Sequence, residues 1–269
     1  MRGINMNTKL NENYGDKIFC QEMVDEMYRL ELVSKTYDFI SQRQISSLIT
    51  QPNTRCLDIG SGSGSMAEWL SKQPNVKEVT ALDRFVHLLE SKLSVSEKLK
   101  IVQHDLNDDD YSGEFDLINI RFVLMHLRDR HNLLKKISKW LKPGGWLIVS
   151  DIIDISPEAV DDPLYRKVMS TMWQVLINSI GTDKNWSNQL NSEFQSLGFR
   201  NITNEVYLPP ISKDSPMAEF WSLTWQAMHD RLLEMSDLDD QTLTDAENRL
   251  IRGNMVALSP GMMTCIGQK

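Results

Sequence analysis

The stretch Leu57-Asp58-Ile59-Gly60-Ser61-Gly62-Ser63-Gly64-Ser65 is the part of this sequence best suited to hold a ligand. Its glycines let the backbone turn tightly, and they let a ligand reach the amides with no Cβ in the way. A helix that follows such a loop presents free N–H groups at its start. Together these features suit a nucleotide at the carboxyl end of a strand. The spacing departs from a dinucleotide fingerprint, because Ser65 stands where the third glycine belongs. It is not a phosphate loop either, since no Gly-Lys-Ser/Thr follows. Asp58 would repel a pyrophosphate, but it could orient the loop amides and attract an ammonium group. Asp83 closes the next apolar run, about 20 residues on, where a carboxylate can accept hydrogen bonds from both ribose hydroxyls. Arg121, a charge at the mouth of such a site, either meets a ligand carboxylate or pairs with a nearby acid.

Strands and helices must alternate to place these residues. Residues 55–59, 79–82, 100–103, 115–120 and 146–149 read as strands. Between the last two, Leu133, Leu134, Ile137, Trp140 and Leu141 share one helical face, and Lys142-Pro143-Gly144-Gly145 ends that helix. Such alternation implies a parallel sheet covered on both faces. Before it, Phe19, Met23, Met27, Leu30, Val33, Tyr37 and Ile40 recur at helical spacing, with polar residues on the other side. Beyond it the chain is mostly helical. Val168, Met172, Leu176 and Ile180 are spaced by four, and Ser215-Pro216 opens a wide stripe from Met217 to Met235. Residues 200–208 and 262–266 are expected to be strands.

The ordered motifs resemble those of class I S-adenosylmethionine-dependent methyltransferases. Leu57 to Gly64 matches that family's first motif, and Ala81-Leu82-Asp83 its ribose-binding acid. His104-Asp105-Leu106 matches the segment whose acid meets the adenine amino group. Phe115-Asp116-Leu117-Ile118 matches the fourth-strand motif, and Leu141-Lys142-Pro143-Gly144-Gly145 the turn before the fifth strand. The finer similarity, carried by Arg121 to Leu127 and Asp129, is to bacterial methyltransferases of small molecules, natural-product types included. Ser61 and Ser63 replace the commoner Cys and Thr of the loop.

The resemblance implies an α/β, Rossmann-like three-layer sandwich. Its mostly parallel seven-stranded sheet ends in an antiparallel last strand and carries a helical lid. Residues 1–52 would form an N-terminal cover. Residues 53–269 would form the methyltransferase core, with helical insertions at about 156–198 and 211–253. S-adenosylmethionine is the implied cofactor and S-adenosylhomocysteine its product. Expected cofactor residues are Tyr14, Arg29, Asp58, Gly60, Ser61, Gly62, Asp83, Arg84, Asp105, Leu106 and Arg121. Tyr14 and Arg29 fall where similar enzymes have lid residues touching the cofactor carboxylate; ordinary helix surface is the alternative. His126 and Asp151 fall at places that often face the acceptor in similar enzymes. His126 is expected as general base, with Asp151 positioning it or the substrate. The alternative for His126 is to pack and cap the helix after the fourth strand. Met172, Trp173 and Trp225 are the expected substrate residues, because thioethers and flat rings can line an adaptable apolar pocket.

The expected reaction is in-line methyl transfer to a small-molecule acceptor, at a hydroxyl, with secondary-metabolite biosynthesis as its setting. Transfer to nitrogen or carbon, a nucleic-acid or protein substrate, and a cyclase without methyl transfer are the alternatives. Nucleic acid is disfavoured. Asn119-Ile120-Arg121-Phe122 lacks the paired prolines that hold a flipped base, and 29 Lys and Arg against 37 Asp and Glu give a net charge of −8. The composition, 41% apolar and 25% charged, is that of a globular chain. Cys20, Cys56 and Cys265 have no metal-ligand spacing, and no metal is expected. No apolar run approaches the roughly 20 residues that span a bilayer, so a soluble cytoplasmic monomer or homodimer is expected. Several of the 14 methionines fall in the flanking helical regions.

Overall fold

A computed structural model describes residues 15, 18, 19, 24–108, 111–155, 160–253 and 255–269. Tyr14 lies outside them. A first helix, α1 (Val24–Ser46), precedes the sheet. Strand β1 (Thr54–Ile59) leads through the glycine loop to α2 (Ser65–Ser71), and β2 (Val76–Asp83), α3 (His87–Lys92) and β3 (Leu99–Gln103) follow. Strand β4 (Phe115–Arg121) runs into a 3₁₀ turn, Leu124–His126, then α4 (Arg130–Ser138) and β5 (Leu141–Ile153). The sheet has seven strands, and β5 is its first strand to pair antiparallel.

The remaining elements are α5 (Pro163–Ile180), α6 (Leu190–Ser196), β6 (Arg200–Tyr207), β7 (Pro210–Ile211), α7 (Pro216–Ala227), α8 (His229–Glu234), α9 (Asp240–Arg252), β8 (Ala257–Leu258) and β9 (Gly261–Gln268). The sheet order is β3-β2-β1-β4-β5-β9-β6. Its first five strands are parallel, and β9 runs antiparallel between β5 and β6. The chain therefore has the expected Rossmann-like architecture. The order reverses beside β1, between β1 and β4, and a crevice opens there at the strands' carboxyl ends.

Local chemistry accounts for the cover helices. Asp162 caps α5 by accepting from the amides of Leu164 and Tyr165, with Pro163 in the first turn. Ser215 caps α7 by accepting from Ala218 N, ahead of Pro216, as the Ser-Pro pair predicts.

Two readings of the sequence change. Phe19 precedes α1 with φ +61, so it is not part of the helical face. The buried side of α1 also carries Glu26, Arg29, Thr36, Ser41 and Gln44, because the helix packs against α7 and α2 at once and has no single apolar stripe. Strand β5 starts earlier and ends later than the apolar run suggests. Residues Trp146 to Ile153 pair continuously with Gln268 to Gly261, so Asp151 lies inside the strand, not after it.

Candidate active site

The glycine loop is built for close approach. Gly60 has φ +64, and a Cβ there would overlap Val123 Cγ2; only glycine fits both conditions. Gly62, at φ +54, donates its N–H to Asp83 Oδ2 (2.9 Å), while Phe85 N donates to Oδ1 (3.0 Å). Asp83 thus ties the loop to the end of β2. Burial pushes its carboxyl up, against the pull of these amides. Ser61 Oγ donates to the Asp58 carbonyl (2.8 Å).

Asp58 is buried at the end of β1. Asn119 Nδ2, from β4, donates to its Oδ1 at 2.7 Å. Burial pushes this carboxyl up to about 6, opposed by Asn119, Ser61 and Arg121. Its Oδ2 and the Oδ1 of Asn119 have no hydrogen-bond partner among the described residues, and both residues line the cavity. Two buried acceptors left unanswered at one wall call for a donor from a ligand.

That cavity, of about 270 Å³, begins at the loop and at Asp83, Arg84, Asp105 and Leu106, and ends beneath the cover helices. Arg84 Nε lies 3.4 Å from Asp105 Oδ2, and Asn107 donates to Asp105 Oδ1 through both its amides. Arg121 takes the pairing alternative: its Nη2 is 2.8 Å from Asp38 Oδ1, and Nη1 reaches Ser41 Oγ. Arg29 lines the cavity too, held by Glu26 through two 2.7 Å bonds and stacked near the Phe19 and Phe220 rings. It is therefore buried, not helix surface.

The far wall is apolar and comes from α5 and α7: Trp173, Leu176, Met217, Phe220 and Trp221, with Thr224. His126 reaches this end from the 3₁₀ turn. Its Nδ1 is 3.0 Å from Thr182 Oγ1. Burial, reinforced by Arg29 and Arg130, holds the imidazole down at about 3, so the ring is neutral at neutral pH.

The structure moves three expected site residues off the wall. Asp151 does not line the cavity; its β5 neighbour Ile152 does, because successive strand residues face opposite ways. Its carboxyl lies buried near the Val123 and Met125 amides and the Trp186 indole, and burial pushes it up to about 8. Met172 and Trp225 are fully buried, and neither lines the cavity. Each is one helical position from a residue that does, Trp173 and Thr224. Trp225 instead packs its ring 6.0 Å from that of Tyr165. The sequence carries no sign of Glu26, Asn119 and Val123 as cavity residues, and of Phe220 and Trp221 it offers only Trp221, among the tryptophans suited to a pocket wall. The two rings lie on the recognised stripe, but nothing in the sequence tells which part of that stripe faces inward. Among the described residues no group of three or more His, Cys, Asp or Glu could hold a metal ion, and no helix is long and apolar enough to cross a membrane.

A glycine loop at the sheet's switch point, an acid at the end of β2 and an antiparallel β9 beside β5 define a class I methyltransferase. The family model described as a methyltransferase domain matches residues 24–204, and the chain belongs to that family. Phosphoethanolamine N-methyltransferase of Plasmodium falciparum is 23% identical over 199 residues, 72% of this chain and 68% of that one. The mitochondrial ubiquinone biosynthesis O-methyltransferase of Candida albicans is 26% identical over 156 residues, 55% of this chain and 47% of that one. The matched stretch thus spans about half of the Candida enzyme. The crystal structure of the YcgJ protein of Bacillus subtilis superposes with a TM-score of 0.56 at 18% identity, covering 85% of this chain and 97% of that one, and it shows the shared fold.

Proposed function

We propose that this chain takes S-adenosylmethionine as methyl donor and methylates a hydroxyl of a small, largely apolar acceptor, releasing S-adenosylhomocysteine. One observation carries the reading: a single cavity joins the Gly60–Gly62 loop and Asp83 to the aromatic wall of Trp173, Phe220 and Trp221, with His126 on its lining. The residues fit the donor. The unanswered acceptors Asp58 Oδ2 and Asn119 Oδ1 suit its ammonium group. Asp83 suits the ribose hydroxyls and Asp105 the adenine amino group, with Leu106 packing beside the base. Arg29, Arg84 and Arg121 line the same cavity and suit the donor's carboxylate end or its rim; Tyr14 is assigned to that end by resemblance alone.

When bound, the donor supplies a sulfonium whose methyl is already activated. The chain's own residues then provide alignment and dryness. Gly60 lets the loop come close. The α5 and α7 rings exclude water and hold a flat acceptor. His126, whose imidazole is neutral at neutral pH, offers a lone pair that accepts the hydroxyl proton as the methyl is transferred. The thioether of Met217 beside the rings suits acceptors of varied outline, which agrees with a role in secondary-metabolite chemistry.

The test is label transfer from methyl-tritiated S-adenosylmethionine to a panel of 2-naphthol, catechol, 2-naphthylamine and indole, with calorimetry of S-adenosylhomocysteine alongside. Label entering the phenols is the expected result. Label entering only the amine overturns the hydroxyl assignment. Tight S-adenosylhomocysteine binding with no transfer to any class, through to extracts rich in small molecules, overturns methyl transfer.

A further inference from the structure

His126 sits on a turn of only three residues, Leu124–His126, which cannot by itself fix a side chain. A second segment meets it: Gly181, Thr182 and Asp183, just after α5. Thr182 is buried, and its Oγ1 is 3.0 Å from His126 Nδ1. Arg130, also buried, holds both segments. On one side its Nη2 donates to Gly181 O (2.8 Å) and its Nη1 to Asp183 Oδ2 (3.0 Å), the two residues that flank Thr182. On the other its Nε donates to Leu124 O (3.2 Å) and its Nη2 to Met125 O (3.4 Å), the two residues that precede His126. A backbone bond from Asp183 N to Met125 O (2.8 Å) closes the arrangement. A planar guanidinium with five donors can grip two segments at once in one geometry, as a lysine cannot.

We propose that Thr182 is a positioning residue for His126: its hydroxyl accepts the Nδ1 hydrogen, which leaves the lone pair on Nε2, and Arg130 clamps the two residues together. A neutral imidazole carries one proton, and the partner of one nitrogen decides which nitrogen keeps it. A hydroxyl both donates and accepts, so Thr182 alone permits either tautomer. A base that takes a proton from the acceptor needs its lone pair on the nitrogen turned away from Thr182, and that requirement selects Nδ1–H. The assignment of the tautomer thus rests on the methyl-transfer reading. The clamp also links His126 to α5, whose Trp173 and Leu176 line the cavity, so the base and the acceptor wall keep one spacing.

The test uses the full chain labelled with ¹⁵N-histidine, in wild type and in Thr182→Val, Thr182→Ser and His126→Ala, the last to assign the signal. Long-range ¹⁵N–¹H spectra at pH 7 should show His126 as the Nδ1–H tautomer in wild type and Thr182→Ser. In Thr182→Val, which keeps the shape and removes the hydroxyl, the signal should move toward Nε2–H or a mixture. S-adenosylhomocysteine affinity should stay within twofold in the Thr182 variants. With the panel acceptor that turns over, kcat should fall about 10- to 100-fold in Thr182→Val, with KM little changed and with recovery in Thr182→Ser. An Nε2–H tautomer in the wild type, or the same spectrum in Thr182→Val, overturns the proposal. So does an equal loss of kcat in Thr182→Val and Thr182→Ser, which would mean packing alone. If His126→Ala keeps full kcat, the reading of His126 as base falls. If His126→Ala is inactive and Thr182→Val is not, the inference alone falls.

Discussion

Replacing Asp151 by asparagine should remove a defined part of the protein's pH dependence of stability. The carboxyl is fully buried in β5, and burial raises it from 3.8 to about 8. The folded state therefore keeps the Asp151 proton over a range in which the unfolded chain has lost it. The stability this group contributes is full below pH 3.8 and is lost as pH rises toward 8. Each tenfold change in relative proton affinity is about 1.4 kcal/mol. Between pH 5.5 and 8.0 the wild type should lose about 3 kcal/mol through this one group. Asparagine has nearly the same shape and does not titrate, so any packing cost it brings is the same at every pH. His126, held at about 3, works the opposite way as pH falls below its ordinary 6.5, but it is common to both proteins and cancels in their difference. Urea unfolding of wild type and Asp151→Asn at several pH values between 5.5 and 8.0 measures that difference. It should change by about 3 kcal/mol, or about 1 M in midpoint at an m-value near 3 kcal/mol/M. A difference that stays constant across the range would refute the reasoning, because Asp151 would then be ionised in the folded protein as in the unfolded chain.

Gly60→Ala should lower Tm by about 6–12 °C, since a left-handed φ and the overlap with Val123 together cost about 2–4 kcal/mol. Adding Val123→Ala should recover the overlap but not the backbone strain; a scanning calorimeter decides. Asp83→Asn should weaken S-adenosylhomocysteine about 10- to 100-fold by titration calorimetry, because a charged acceptor of hydrogen bonds is lost; unchanged affinity would move the ribose site elsewhere. Trp221→Leu opens the acceptor end and breaks the 2.8 Å bond to Ser259 Oγ. It should shift transfer toward bulkier phenols while the S-adenosylhomocysteine affinity stays within twofold.

The half of the molecule that holds the nucleotide was readable because its constraints act on the backbone. Gly60 is required by a positive φ and by Val123, and Asp83 by two amides that need an acceptor. Such demands leave few residue types open, so they appear as motifs with fixed spacing. The parallel sheet followed from the alternation of strands and helices around the same stretch, whereas its strand order is given by the structure. The acceptor half obeys looser rules. On α7, Trp221 lines the cavity and Trp225 packs on α5, yet both belong to one wide stripe, because the helix is covered on two sides. Asp151 was misplaced for a matter of parity. An apolar run ending at Val149 hides the rest of β5, and without the true strand end one cannot count which residues face the crevice. Arg130 and Thr182 left no signal, since contacts between residues 51 and 56 apart in sequence have no local pattern.

Charge separates the two ends of the cavity. Each arginine on the wall named above has a carboxylate beside it: Arg29 has Glu26, Arg84 has Asp105 and Arg121 has Asp38. Asp58 and Asp83 stand at the loop end with no ion pair to a cation among the described residues, Arg121 acting on Asp58 only from a distance, and Asp58, at about 6, is mostly ionised at pH 7. The loop end therefore favours a cation, by attraction and by its unanswered acceptors. At the other end His126 is neutral and the rings of Trp173, Phe220 and Trp221 offer faces and edges, not ions. An acceptor carrying a phosphate would need more positive charge than these acid-matched arginines leave over, whereas the donor's carboxylate brings its own ammonium group with it. A neutral aromatic acceptor loses little water and gains contact with the rings. In the proposed transfer the positive charge leaves the sulfonium and ends on the imidazolium of His126 with the hydroxyl proton, so the site holds one positive charge before the step and one after it. The pairing of Arg29 with Glu26 thus does for specificity what the glycines do for binding: it removes the wrong ligand's reason to stay.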